Sequence, residues 1–299
     1  MQDNEGSTEV KNNVIHTSSI SMTNRYATNK QEIDPLISVV TVVYNAVITL
    51  EETILSVINQ TYSNIEYIII DGGSTDGTIE IIKKYEHKIA YWISEPDNGI
   101  YDAMNKGIEK ATGVWLNFMN AGDCFYDYSI ITKFLENLNP DSYIVFGDSQ
   151  MILETGNYIR KAMPPSNKNH MPFVHQSVFS KTNLLKINRF ETIYKICADH
   201  NFFYTVYNLG YKFQYIPVII SKCDAINGVS SSEALSDVIR KRYERGHMYG
   251  LHKKKGWQIK FMISIVAFAS KMGMKKILPQ SVVSIIKKRK QMFLNKGKL

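Results

Sequence analysis

The sequence predicts a doubly wound α/β protein, a mostly parallel sheet with helices on both faces, followed by a basic helical tail. Three observations lead there. Residues 36–45 (LISVVTVVYN) are a nearly unbroken apolar, β-branched run, the pattern of a strand buried on both faces. Apolar runs of strand length then alternate with segments of helical period, the order that builds a parallel sheet with crossover helices. The second run ends in Asp71-Gly-Gly-Ser-Thr-Asp-Gly-Thr, a loop at the carboxyl end of a strand, where folds of this class take their ligands.

The elements follow in order. Pro35 precedes the first strand and Asn45 closes it. Residues 49–58 put Leu50, Ile54, Val57 and Ile58 on one helical face, with Thr49 as a candidate cap. A second strand is expected at 65–70, then a helix through Ile79, Ile82 and Tyr85. A strand at 90–94, a helix over 101–111 and a strand at 114–119 extend the alternation. Beyond Asn120 the pattern is mixed: a helix over 130–138, strands at 143–148 and 157–161, and a loop over 163–175 that carries three prolines. A helix over 196–208, a strand at 213–219 and a helix over 238–250 complete it. The expected organisation is a disordered leader over 1–34, one α/β domain over 35–237 and a tail over 238–299.

Composition narrows the function classes. With 44% hydrophobic and 21% charged residues the chain is of ordinary globular make-up, which excludes a disordered or fibrous protein. Cys124, Cys197 and Cys223 are few, odd in number and far apart, so neither a disulfide framework nor a close-spaced zinc knuckle is available, and a reducing compartment is expected. Residues 1–34 are polar and lack the apolar core of a secretory signal. The net charge of +7 conceals a division: residues 1–239 carry 18 Lys/Arg against 27 Asp/Glu, whereas 240–299 carry 17 against the single acid Glu244. An acidic body thus bears a basic tail. Its apolar runs, 261–269 and 277–286, are about half the roughly 20 residues a bilayer span needs. They are bordered by Lys or Arg, which points to association with anionic lipids at the membrane surface; the plain alternative is a pair of basic helices packed on the body. Nucleic acid is not an expected partner, because the tail has no aromatic-interleaved basic patch or base-reading module.

Four polar clusters fall at or near strand ends. Asp71 with its Gly-Gly pair could accept hydrogen bonds from a base or ribose, or simply cap the next helix. In Ser94-Glu-Pro-Asp-Asn-Gly-Ile-Tyr-Asp-Ala-Met-Asn-Lys-Gly, the residues Asp97, Asp102, Asn105 and Lys106 make a polar surface that leads into a helix, a floor for phosphate and ribose or a turn in its own right. Asn120-Ala-Gly-Asp123 follows a buried strand, and a carboxylate there can hold a hard divalent cation that bridges a diphosphate. Finally Asp199, next to His200 in an amphipathic helix, could serve as a general base, and His175-Gln176 could bind an acceptor or phosphate.

Taken together, these segments resemble the family-2 glycosyltransferases of GT-A fold, in which a Rossmann-like nucleotide-binding half merges with a mixed acceptor half. The resemblance spans roughly residues 36–232 and rests on ISVVTVVYNAVITLEETILSVINQTYSNIEYIIIDGGSTDGT, SEPDNGIYDAMNKGIEKATGVWLNFMNAGD, HQSVF, ADHNFF and NGVSS. The EPDNGIYDAMNKGI and NAGD forms look like the branch that builds bacterial capsular, colanic-type and O-antigen polysaccharides. By this resemblance Thr41, Val42, Tyr44, Asp71 and Asp97 surround the nucleotide, Asn105, Asn120, His175 and Gln176 face donor or acceptor, Asp123 holds Mn²⁺ or Mg²⁺, and Asp199 is the catalytic base. One departure stands out: Asn120 and Gly122 occupy the positions where the family's Asp-x-Asp carboxylates usually are, so Asp123 is the one acid kept.

The resemblance further implies an inverting transfer from a nucleotide-sugar donor, with UDP the first candidate, to a polyprenyl-diphosphate-linked sugar or an oligosaccharide. It places the protein in the cytoplasm, peripheral on the inner face of the plasma membrane. The reduced metal motif keeps a nucleotide-sugar-binding or scaffold role open. A dinucleotide oxidoreductase is disfavoured, because the first strand-to-helix turn, Tyr-Asn-Ala-Val-Ile-Thr, has none of the glycines of a G-x-G-x-x-G loop.

Overall fold

The computed structural model of the chain describes residues 34–166, 171–225 and 234–271. Its first half follows the predicted alternation: β1 (Ile37–Val43), α1 (Leu50–Ile58), β2 (Ile65–Asp71), α2 (Thr78–Lys84), β3 (Tyr91–Ser94), α3 (Ile100–Lys110) and β4 (Trp115–Phe118). These four strands are parallel, in spatial order β3-β2-β1-β4. The order reverses at β1, which opens a crevice at the carboxyl ends of β1 and β4. Period-two alternation explains why the runs are apolar throughout. Val40, Val42, Ile68 and Ile70 share a core with Ala103, Met104 and Ile108 of α3. Ile37, Val39, Val43, Tyr67 and Ile69 meet Leu50, Ile54 and Val57 of α1 on the other face.

The second half contains β5 (Cys124–Phe125), α4 (Ile130–Glu136), β6 (Ile144–Ile152), β7 (Tyr158–Arg160), β8 (Val178–Lys181), α5 (Thr182–Ile187), α6 (Ala198–Asn208), β9 (Phe213–Asp224), α7 (Leu235–Met248) and α8 (Trp257–Lys271). The sheet continues β4-β8-β6-β9-β5, with β7 paired to β6. β8 is antiparallel to both β4 and β6, β9 is parallel to β6, and β5 is antiparallel to β9. The beginning of β8 therefore lies at the same sheet edge as the ends of β4, β6 and β9. A mixed, mostly parallel α/β sheet of the predicted class results.

Several local expectations need correction. β5, β8 and α5 were not expected, since runs of two to six residues carry too little periodicity to be read. The last strand runs to Asp224 instead of stopping at 219. Its pairing with β6 shifts between Phe146↔Tyr215 and Asp148↔Ile219, and Pro217 falls in that irregular stretch, where its missing N–H breaks no ladder bond. Thr49 does occupy the residue before α1, but its side chain makes no capping hydrogen bond. The expected loop over 163–175 is irregular in its described residues and ends in a single 3₁₀ turn, His175–Ser177. The tail's first apolar run lies in α8; residues 1–33, 227–232 and the second apolar run at 277–286 lie outside the described residues. Among the described residues no helix is long and apolar enough to cross a membrane.

Candidate active site

The crevice is walled on one side by two loops bonded to each other through alternating backbone and side-chain groups. Asn45 N–H donates to Ser74 Oγ (2.7 Å), Thr75 N–H to Asn45 Oδ1 (3.0 Å), Ala46 N–H to Thr78 Oγ1 (2.9 Å) and Val47 N–H to Asp76 Oδ2 (3.1 Å). Asn45 has φ +48°, the one non-glycine positive φ among the described residues, a conformation that asparagine tolerates better than most residues. Sequence reasoning used Asn45 only as the end of a strand; its Asn identity after an apolar run was the available signal.

Asp71 organises this loop from within. It is fully buried, and its carboxylate accepts from the Gly73 and Ser74 N–H groups (3.0 and 2.9 Å), the Ser74 hydroxyl and the Ser94 hydroxyl (2.6 Å). Thr41 and Val42 also turn inward: Thr41 lies against Tyr67 and donates to the Met119 carbonyl (2.7 Å), and Val42 is in the core. The expected contacts of these three with a nucleotide are thus not presented by exposed side chains. What the strand ends do present is Tyr44, 64% exposed. Its ring and the Asp97 carboxylate converge on Gly72: a Cβ there would lie 2.5 Å from Asp97 Oδ2 and 3.4 Å from Tyr44 Cδ2. An aromatic face, a bare backbone and a carboxylate make a shelf suited to a flat ring with N–H or hydroxyl donors.

Asn105 departs from expectation. Its amide accepts from Phe190 N–H (3.0 Å) and donates to the Phe190 carbonyl (2.9 Å), so it fastens the segment ahead of α6 to α3. Lys106 is held by Glu95 (2.7 Å) and the Pro96 carbonyl (3.3 Å).

The other side of the crevice brings the remaining candidates together. Because β8 is antiparallel, the 3₁₀ turn at its start delivers His175 and Gln176 to the edge where β4 ends. Asn117 of β4 fixes that turn by donating to the Gln176 and Val178 carbonyls (both 2.9 Å). The Ser177 hydroxyl fixes it from the far side against Ser149 (2.7 Å), Ser221 (2.6 Å) and the Asp148 carbonyl (2.9 Å). Gln176 Nε2 donates to Asp123 Oδ2 (2.5 Å), while Asp123 Oδ1 accepts from Asp224 N–H (3.0 Å) at the end of β9. His175 Nε2 lies 3.1 Å from Asn120 Nδ2, and its Nδ1 lies 3.4 Å from Asp199 Oδ2. Two consecutive residues therefore connect Asp123 with Asp199.

The two carboxylates differ in electrostatics. Burial pushes the Asp123 carboxyl up to about 6, against the opposing pull of His175 and its two hydrogen bonds. At Asp199 burial acts the same way, but His175, the Tyr101 hydroxyl and the His200 N–H together hold the carboxyl below its ordinary value. Tyr101, which sequence reasoning did not single out, lies 2.9 Å from Asp199 Oδ1. Asp199 is thus set to be ionised well below neutral pH, and Asp123 only as the pH rises through about 6.

A hard cation would offset the cost of burying the Asp123 charge. Among the described residues no three His, Cys, Asp or Glu side chains cluster to hold a metal. Yet Asn120 Oδ1 and Gln176 Oε1 are buried acceptors without hydrogen-bond partners, beside a carboxylate that resists ionisation. One carboxylate and two amide oxygens fit Mg²⁺ or Mn²⁺, which takes the rest of its shell from a diphosphate and water.

The sequence profile of glycosyl transferase family 2 matches residues 38–215, a span that takes in every site group described above except Ser221 and Asp224. The chain belongs to glycosyl transferase family 2. Among relatives of this family-2 chain, an uncharacterized glycosyltransferase of Mycobacterium tuberculosis is 34% identical over 176 residues, covering 56% of this chain and 67% of its own. A PGL/p-HBAD biosynthesis glycosyltransferase of Mycobacterium bovis is 26% identical over 213 residues, covering 66% and 80%. The names of these relatives do not specify capsular or O-antigen synthesis. Among solved structures, mannosyltransferase PcManGT from Pyrobaculum calidifontis, in complex with GDP-Man and Mn²⁺, aligns at TM-score 0.55 with 15% identity over 87% of this chain and 81% of that one. S. aureus TarS 1-349 in complex with UDP aligns at 0.52 with 17% identity, and the family-2 chain spans 65% of its length.

Proposed function

We propose that this chain is an inverting, cation-assisted glycosyltransferase that moves a sugar from a nucleotide diphosphate to a hydroxyl of a lipid-linked or oligosaccharide acceptor in bacterial cell-surface glycoconjugate assembly. The observation that carries the reading is the bridge from Asp123 through Gln176 and His175 to Asp199. It sets a diphosphate-side carboxylate and an ionised base at opposite ends of one rigid turn.

The residues divide the work accordingly. Tyr44, Gly72 and Asp97 receive base and ribose, with UDP the first candidate; TarS and PcManGT have been solved with UDP and GDP-Man respectively. Asp123, with the free amide oxygens of Asn120 and Gln176, would hold Mn²⁺ or Mg²⁺, whose charge when bound neutralises the leaving diphosphate. Asp199 Oδ1 is occupied by Tyr101 and the His200 N–H, and Oδ2, which faces His175 Nδ1 at 3.4 Å, is the oxygen that receives the acceptor hydroxyl's proton. The acceptor oxygen bonds to the anomeric carbon as the bond to the diphosphate oxygen breaks, and the configuration inverts. No covalent enzyme intermediate is required.

A thermal-shift panel of UDP, GDP and dTDP with and without Mn²⁺ tests the donor side. At about 100 times its Kd the correct nucleotide adds roughly 2.7 kcal/mol, and Asp123→Ala should lose the Mn²⁺-dependent part. Asp199→Asn should keep that nucleotide binding and lose transfer. A folded wild type that responds to no diphosphate would overturn the reading and favour the scaffold role.

A further inference from the structure

Residues 240–299 contain one acid, Glu244, and the structure buries it. It lies in α7, on a helix rich in arginine and lysine, yet it is only 5% exposed. Its carboxylate reaches the segment that leads into α6 and accepts three consecutive backbone N–H groups. Lys195 donates to Oε1 (2.8 Å), and Ile196 and Cys197 donate to Oε2 (both 3.0 Å). Donors ahead of and at a helix start have no partner within that helix. Here a carboxylate from another helix supplies it, with charge of the sign that a helix N-terminus favours.

The capped segment bears directly on Asp199. The Tyr101 hydroxyl lies 2.8 Å from the Ile196 carbonyl oxygen and 2.9 Å from Asp199 Oδ1, so one phenol links the segment to the carboxylate. A second tie follows on the other side of Asp199: His200 Nε2 lies 2.6 Å from the hydroxyl of Tyr249, the residue just after α7. Thus α7 grips α6 immediately before and immediately after the proposed base.

We propose that Glu244 is a positioning residue for the transfer reaction, which holds the 195–197 segment so that Tyr101 and Asp199 keep the geometry of a general base. The proposal rests on the assignment of Asp199 above. It makes α7 part of the catalytic apparatus: its grip falls on the residues either side of Asp199, so proton removal from the acceptor depends on it more than donor binding does.

The test is Glu244→Gln in the full chain, which keeps side-chain volume but offers an N–H where three N–H groups converge. Two readouts are taken: amide hydrogen exchange, and turnover of UDP-GlcNAc, or of GDP-mannose if the nucleotide panel selects guanosine, with a polyprenyl diphosphate sugar present. Exchange at residues 195–197 should quicken by about tenfold or more while β1, β2 and β4 stay protected. The kcat should fall by about tenfold with donor KM within about twofold. If the glutamine variant does not fold, Glu244→Asp retracts the charge by one methylene and should move both readouts in the same direction by less. Unchanged exchange overturns the clamp; faster exchange with wild-type kcat, or equal losses in nucleotide binding and turnover, overturns the positioning role. A wild type that binds nucleotide but transfers nothing overturns the transferase reading and the positioning role with it, while the exchange result still decides whether the clamp exists.

Discussion

At Asp123 the structure sets a stability against a ligand site. Burial moves its carboxyl from 3.8 to about 6, so between those values the folded protein keeps a proton that the unfolded chain has lost. Stability then falls as pH rises through that window, and about 2 pKa units correspond to roughly 3 kcal/mol at most. Asp123→Asn removes the penalty. Its carbonyl can keep the Asp224 N–H, and a flipped Gln176 amide can offer Oε1 to the new N–H group. In EDTA the variant should therefore be more stable than wild type by about 1–2 kcal/mol at pH 7.5, with the gain reduced to about a third of that at pH 4.5. Urea denaturation at the two pH values measures it; a gain that is absent at pH 7.5, or equal at both, would show that the buried charge costs nothing. The same substitution should weaken Mn²⁺-dependent nucleotide binding, a trade expected where function uses a strained group.

Between elements, α3 sits against β1 through Gly107, where an added Cβ would collide with Val40. Gly107→Ala should push the helix outward and cost about 1–3 kcal/mol by overpacking. Because α3 carries Tyr101, kcat should fall more than donor binding. Val40→Ala makes room and should restore part of both losses in the double variant, by the logic of a mutant cycle; a single variant with a wild-type urea midpoint would refute the packing argument. This scale also explains what the sequence makes legible. β1, β2 and α3 announce themselves through long apolar periods, and Asp123, His175, Gln176 and Asp199 stand out as polar residues beside them. The pairing of His175 with Asp199 is not legible, because it depends on β8, a four-residue strand that reverses direction. Asp71 and Asn105 illustrate the converse: residue type fits a ligand contact, but the loop takes the Asp71 carboxylate and Phe190 takes one donor and one acceptor of Asn105. Glu244 is conspicuous in the sequence only as an exception among basic residues, and nothing local says what it reaches.

For the molecule as a whole, the division between acidic body and basic tail becomes a question of where the acceptor is met. α8 packs on α7 through Trp257, which fills the space at Gly246 and lies near Tyr243, and through Arg242, which donates to the Ser264 carbonyl. Ile265, Val266 and Ala269 are buried, whereas Ile259 and Met262 are 58% and 47% exposed, near Lys253, Lys254, Lys255 and Lys260 in sequence. Apolar side chains left in water beside lysines are what an interfacial helix presents to anionic lipid. Each such lysine contributes about 1 kcal/mol at a charged leaflet, an attraction screened by salt. Replacing the four lysines by glutamine should therefore cut co-sedimentation with phosphatidylglycerol vesicles sharply at low salt, leave Glu244 and its grip on α6 untouched, and leave turnover of a water-soluble acceptor unchanged. Vesicle binding equal to wild type would show that these lysines do not carry the association. Binding lost together with soluble turnover would place them in the fold rather than at a membrane. Since α7 joins this surface to the segment beside Asp199, docking through the tail would couple the proposed base to the leaflet in which the proposed lipid-linked acceptor would lie.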